Sequence, residues 1–103
     1  MIAIRNQAIE QLYFKEGVNR SRISELNIGD VDLRHNRIRN RPFRQKKKIW
    51  HNINSETKRK IKNWIDISPL KQSDDPLFVA LDSCQYGHRL SVTSINRNVV
   101  ART

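Results

Sequence analysis

The residues of this chain that could do chemistry are concentrated in one basic segment. Residues 34–48 contain eight arginines and lysines and no aspartate or glutamate, so the segment supplies +8 of the net charge of +10. In the rest of the chain, basic residues exceed acidic ones by only two. A concentrated positive field of this kind attracts a polyanion such as nucleic acid. The alternative interpretation is a solvated basic segment that serves solubility alone.

The spacing of the arginines predicts how these charges are presented. Arg37, Arg39 and Arg41 occur at every second position, so a β-strand would place all three on one face and Ile38 on the other. A row of guanidinium groups can contact successive phosphates of duplex DNA. We therefore predict a DNA-binding surface made of Arg37, Arg39, Arg41, Arg44, Lys46, Lys47 and Lys48.

The other reactive residues form no catalytic or metal-binding pattern. Cys84 is the single cysteine and has no disulfide partner in the chain, so we expect a buried or inert thiol. The three histidines are scattered, Tyr13 lies in an apolar helical pattern and Tyr86 in a loop. We expect no catalytic residue, no metal and no small-molecule cofactor.

Helices on both sides of the basic segment must position it. Apolar residues at three- and four-residue intervals predict a first helix over residues 4–15, which Gly17 ends. A second helix should start with Asn19 or Ser21 as its cap and end near Asn27. Two more helices are predicted downstream, with Ser55 and Ser91 as their N-caps and with Ile61, Trp64, Ile65, Val92, Ile95 and Val99 facing the core.

Three short strands are predicted between the second and third helices, over residues 30–33, 37–41 and 46–53. A turn at Arg34-His35-Asn36 should join the first two, because asparagine tolerates the left-handed backbone of tight turns. Pro42 marks the next turn, since proline cannot donate to a strand ladder. Residues 77–79 suggest a further small apolar strand. The predicted fold class is α+β, with helices packed on a small three-stranded antiparallel sheet.

Length and composition limit the organisation of the chain. With 103 residues, 37% of them hydrophobic, it can bury one modest core, which indicates a single small domain or part of a larger one. No apolar run approaches the roughly 20 residues that span a bilayer, and the N-terminal residues lack the layout of a signal peptide. We expect a cytoplasmic protein without a membrane partner.

Several segments of the chain carry sequence motifs that occur together in one order. Residues 5–18, RNQAIEQLYFKEGV, are similar to a helix with the pattern R-D-x-A-L … T-G-L, and residues 19–32, NRSRISELNIGDVD, to a following helix and D-I-D strand. Pro76-Leu77-Phe78 and Leu90-Ser91 match a P-L-F strand and an L-S helix start. In these motifs and their order the chain resembles the first half of the catalytic domain of tyrosine recombinases, the phage-integrase family. The resemblance implies one partial catalytic domain over residues 1–103, with duplex DNA and other recombinase-like subunits as partners.

The resemblance also implies that the catalytic site is incomplete. Without a gap, Asn19 occupies the position of the family's first catalytic arginine, and one neutral amide cannot replace a guanidinium that clamps the scissile phosphate. We interpret Asn19 as a helix cap and Arg22 as a surface residue. A second register places Arg22 at the catalytic position but deletes three residues downstream.

The family's other catalytic residues are also unmatched. Its ribbon lysine, which protonates the leaving oxygen, corresponds here to Phe43 or Arg44, and arginine holds its proton too tightly to act as an acid. We interpret Lys46–Lys48 as phosphate contacts, with the acid role as the alternative. The His-x-x-Arg pair and the terminal nucleophilic tyrosine have no counterpart.

The sequence therefore predicts a recombinase-like DNA-binding module without a complete catalytic site. The first alternative is the N-terminal part of an active site-specific recombinase. The second is a small basic RNA-binding protein, in which exposed aromatic residues such as Trp50 and Phe43 would stack on bases.

Overall fold

A computed structural model describes residues 1–40 and 49–101 of the chain. Helix α1 spans Ile2–Glu10 and continues as a π-helical segment over Gln11–Lys15, and α2 spans Arg20–Glu25. A 3-10 turn over Ile28–Asp30 leads into strands β1 (Val31–Asp32), β2 (Arg37–Asn40) and β3 (Ile49–Asn52). Helix α3 spans Ser55–Ile67, and α4 spans Val92–Ile95 and continues as a π-helical segment over Asn96–Val100. The predicted α+β fold class with a three-stranded antiparallel sheet is confirmed.

Local capping fixes several helix ends as the sequence predicts. The side-chain oxygen of Asn19 accepts the backbone N–H of Arg22 at 3.0 Å and starts α2. Ser91 caps α4 in the same way, through the N–H of Ser94 at 3.1 Å. Gly17 follows the first helical segment with a φ of +72°, a conformation that glycine adopts without strain.

Two predictions about the later helices are wrong. The N-cap of α3 is Asn54, which accepts the backbone N–H of Thr57, and Ser55 is already the first helical residue. On α4, Ile95 and Val99 are buried as predicted, but Val92 is 39% exposed. The first error arises because Asn54 and Ser55 are adjacent and both residue types suit an N-cap.

The segment around residues 77–79 does not form the predicted strand. Isolated bridges join Asn27 to Pro76 and Val79 to Arg89, so the segment has one bridge on either side and no continuous ladder. Leu77 and Phe78 are nonetheless fully buried, as their apolar character requires.

The hydrophobic core joins the inner faces of α1, α3 and α4 to one face of the sheet. Ile38 of β2 and Trp64 of α3 are both 0% exposed. The indole N–H of Trp64 donates to the carbonyl of Leu77 at 2.7 Å, so this buried donor has a hydrogen-bond partner. Over the described ranges, no helix is both long and apolar enough to cross a membrane.

Candidate nucleic-acid interface

The three-stranded sheet presents the described part of the basic segment on its solvent face. β2 is the central strand, with Arg37 opposite Asn52 and Arg39 opposite Trp50 on β3. Because side chains alternate along a strand, Arg37, Arg39 and Trp50 share the exposed face, while Ile38 enters the core. The prediction that Arg37 and Arg39 lie on one face and Ile38 on the opposite face is therefore confirmed.

A four-residue turn sets the register of β1 against β2. Asn36 has a φ of +53°, in the left-handed region that the sequence predicts for this position. The turn pairs Asp32 directly with Arg37. This pairing brings an acidic side chain from β1 onto the same face as the arginines.

The two arginines of β2 form ion pairs with aspartates that precede the basic segment. Nε of Arg37 donates to Oδ2 of Asp32 at 3.0 Å, and Nε of Arg39 donates to Oδ1 of Asp30 at 3.3 Å. The arginine side chains are still 34% and 45% exposed, respectively. A ligand in solvent can therefore still reach these two arginine side chains.

The carboxylate of Asp30 is held in place by the turn that precedes β1. Its side chain is 3% exposed, and Oδ2 accepts the backbone N–H of Asn27 at 2.9 Å. Gly29 lies so close to the neighbouring segment that an added Cβ would be 2.8 Å from the backbone oxygen of Ser73. Backbone contacts at Asn27 and Gly29 thus fix the turn that carries Asp30, the partner of Arg39.

Asp32 also receives a hydrogen bond from the turn. Nδ1 of His35 lies 2.9 Å from Oδ2, the atom that accepts Arg37. Partial desolvation raises the pKa of Asp32, but the hydrogen bonds from His35 and Arg37 together lower it more, so this pKa lies below its ordinary value. Asp32 therefore carries its charge at neutral pH.

An aromatic ring lies beneath the two guanidinium groups. The Arg37 guanidinium carbon is 4.0 Å from the centroid of the Trp50 ring, and that of Arg39 is 5.6 Å away. Both distances fall within the range of cation–π attraction. Trp50 is 43% exposed, so part of the indole remains open to solvent.

The remaining predicted DNA-binding residues, Arg41, Arg44, Lys46, Lys47 and Lys48, lie outside the described residues, as do the predicted Pro42 turn and Phe43. The described part of the third strand begins at Ile49.

The sequence resemblance places the family's first catalytic arginine near the start of α2, which the structure describes. Asn19 is exposed and uses its side-chain oxygen as the helix cap. Arg22 is not the plain surface residue expected, because its side chain is only 14% exposed and it pairs with Glu25 at 3.0 Å. Asn19, Arg20, Ser21, Arg22 and Val92 line an open cavity of about 420 Å³.

The other candidate groups are dispersed. Cys84 is exposed, which corrects the prediction of a buried thiol; its position in a polar surface loop explains the difference. Tyr86 is 54% exposed, whereas Tyr13 packs against the core. Nε2 of His51 lies 3.6 Å from Glu16. In the ranges that the structure describes, no three histidine, cysteine or acidic residues meet as a potential metal site.

The aspartate partners of the arginines and the position of Trp50 beneath them were not anticipated from the sequence. The signal for the aspartates was present: Asp30 and Asp32 have the same two-residue spacing as Arg37 and Arg39, and the Asn36 turn dictates which residues face each other. Counting charge only from residue 34 onward left the two aspartates out.

Comparison with known proteins agrees with this architecture. The crystal structure of XerA recombinase matches with a TM-score of 0.72 over 92% of this chain, at 24% sequence identity. The chain spans 33% of the length of that XerA chain. No model of a known protein family and no curated protein sequence matches it. The fold is therefore recombinase-like, an α+β arrangement that resembles part of a recombinase catalytic domain.

Proposed function

We propose that this chain is a DNA-binding, recombinase-like protein that lacks a complete catalytic site. The observation that carries the proposal is the combination of a recombinase-like fold with a segment of charge +8, of which Arg37 and Arg39 lie on an exposed sheet face. In this proposal residues 1–103 form one partial catalytic domain, and duplex DNA is the partner.

The proposed contacts are mainly electrostatic. Arg37 and Arg39 are already paired with aspartates, so Arg41, Arg44 and Lys46–Lys48 supply most of the phosphate contacts. Contacts of this kind position a duplex without reading its sequence. Affinity should therefore depend strongly on salt and weakly on base sequence.

The binding test is fluorescence anisotropy with a labelled duplex over a series of salt concentrations. For roughly 4 to 6 phosphate contacts, the log–log slope should be about −3.5 to −5.5. Replacing Arg41 and Arg44 by alanine should flatten the slope by about two units. The matched control replaces Arg59 and Lys62, two exposed, ion-paired cations of α3, and removes the same charge. Equal effects of both double variants, or a slope near zero, would argue against the proposal.

The proposed lack of catalysis rests on Asn19, which in the ungapped register stands at the position of the family's first catalytic arginine. The amide of Asn19 serves as a helix cap and offers no permanent charge to a phosphate. We expect no tyrosine-linked DNA adduct on a nicked suicide substrate, and Asn19→Arg should not restore one, because catalytic residues act as a unit. An adduct formed by the protein as it stands would favour the alternative of an active recombinase.

The RNA-binding alternative is supported by one specific observation, the exposed indole of Trp50. RNA-binding modules commonly stack unpaired bases on such rings. Competition between duplex DNA and single-stranded RNA of equal length separates the two functions: displacement of a labelled duplex by RNA at a lower concentration than by duplex would favour the RNA function.

A further inference from the structure

The exposed face of the sheet carries a feature that phosphate binding does not explain. Trp50 is one of two tryptophans, and it is 43% exposed whereas Trp64 is completely buried. Its neighbours across the sheet, Arg37 and Arg39, place guanidinium groups over the ring and do not cover it fully. A flat indole beside flat guanidinium groups offers π-faces and charge in one small area.

The aspartates hold these arginines in a fixed geometry. Asp32 accepts a hydrogen bond from Arg37, and the buried Asp30 accepts one from Arg39, so both side chains are oriented before any ligand arrives. A ligand that stacks on this surface therefore loses little side-chain freedom on binding.

The same pairing makes this face a weak phosphate site. Each guanidinium is balanced by a carboxylate within 3.3 Å, so the attraction for a further anion is reduced. A nucleobase has a π-face and polar edges but no negative charge, and stacks on aromatic rings and on guanidinium planes. The chemistry of the face thus suits a base better than a phosphate.

We propose that Arg37, Arg39 and Trp50 form a stacking site for one unstacked nucleobase of DNA. The inference rests on the proposed DNA binding and adds a second mode of contact, in which the basic residues 41–48 hold the backbone while the sheet face holds a base. The base can come from a single strand or from an unpaired position in a duplex; the chemistry is the same.

The test compares four labelled DNA probes and one labelled RNA on the full chain by fluorescence anisotropy. The single-stranded probes are a twelve-residue oligothymidylate, a DNA strand of equal length with abasic sites throughout, and an oligouridylate RNA of the same length. The two duplex probes are one with a single bulged thymine and its fully paired counterpart. Base stacking should make the oligothymidylate bind about tenfold more tightly than the abasic strand, which has the same phosphates. It should also quench the emission of Trp50.

Variants isolate the ring and the guanidinium. Trp50→Leu should abolish the preference for bases over abasic sites, Trp50→Tyr should restore most of it, and Arg37→Lys should weaken it because lysine keeps the charge but loses the plane. Tyr86→Leu, which removes a similarly exposed ring outside the sheet, is the matched control and should leave the preference unchanged.

The possible results distinguish this inference from the proposed function. If Trp50 is needed only for the preference of oligothymidylate over the abasic strand, the site is assigned to single strands. If Trp50 is also needed for a preference of the bulged over the paired duplex, the site is assigned to unpaired bases in general. Equal binding of base-containing and abasic strands, with duplex binding intact, overturns the stacking site and leaves the proposed function standing. A preference for oligouridylate RNA over oligothymidylate overturns the assignment to DNA, and no binding to any DNA removes both proposals.

Discussion

Removing the carboxylate of Asp32 should strengthen DNA binding. Asp32 accepts hydrogen bonds from Arg37 at 3.0 Å and from His35 at 2.9 Å, and its side chain is 21% exposed. In Asp32→Asn, the amide oxygen can still accept from the turn, but the charge that competes with phosphate for Arg37 is gone. The perturbation therefore frees one guanidinium at little risk to the fold.

The size of the effect follows from counterion release. One additional phosphate contact on duplex DNA changes the log–log salt slope by about 0.9. Between 1 M and 0.1 M salt, that slope corresponds to a gain in affinity of about eightfold. We expect Asp32→Asn to steepen the slope by about 0.9 and to bind duplex about eightfold more tightly at roughly 0.1 M salt.

A matched variant separates this local effect from a general change in charge. Asp66→Asn on α3 frees Lys62 from a 2.9 Å ion pair and raises the net charge by the same amount, but away from the sheet. Both variants and the unaltered protein would be measured by anisotropy over one salt series. If Asp32→Asn behaves like Asp66→Asn, or leaves the slope unchanged, the reasoning that Asp32 restrains a phosphate-binding arginine is refuted.

Three further predictions concern stability and ionisation. Asn19→Ala should lower the free energy of unfolding by about 1 kcal/mol through loss of the helix cap, while Asn19→Ser should retain most of it, as measured by urea denaturation. Gly29→Ala should cost about 1–3 kcal/mol, because its Cβ would meet the backbone oxygen of Ser73; an unchanged urea midpoint would contradict this close approach. The pKa of Asp32, followed by carboxyl NMR, should lie below its ordinary 3.8. Its stabilising contribution is then present above the ordinary value and is lost as pH falls through the lowered pKa.

The parts of the fold that the sequence predicts well are those decided locally. Asn19 and Ser91 cap helices because a short polar side chain before a helical run can satisfy its own backbone N–H groups. Asn36 takes the left-handed turn conformation for an equally local reason. Ile38 and Trp64 are buried because their spacing places them on the apolar faces of a strand and a helix.

The parts of the fold that the sequence does not predict depend on contacts between residues far apart in the chain. Residues 77–79 are apolar enough for a strand, but the bridging partners of this segment, Asn27 and Arg89, come from two separate regions and form isolated bridges instead of a ladder. Arg22 is also more buried than helical periodicity alone predicts, because only 14% of its side chain is exposed in the folded chain. Neither outcome can be derived from the residues next to it.

The candidate site lies between these two cases. Alternation alone places Arg37 and Arg39 on one face, but their electrostatic state depends on β1, whose two aspartates become their partners only when the turn fixes the register. A carboxylate beside each arginine lowers the attraction for phosphate and at the same time holds the guanidinium over the ring of Trp50. Charge density in the sequence counts Arg37 and Arg39 as free cations and gives no sign that they are paired with aspartates or lie over the ring of Trp50. Under the proposed function we therefore expect phosphate contacts mainly from the basic residues that follow β2, because no aspartate or glutamate occurs there up to Lys48.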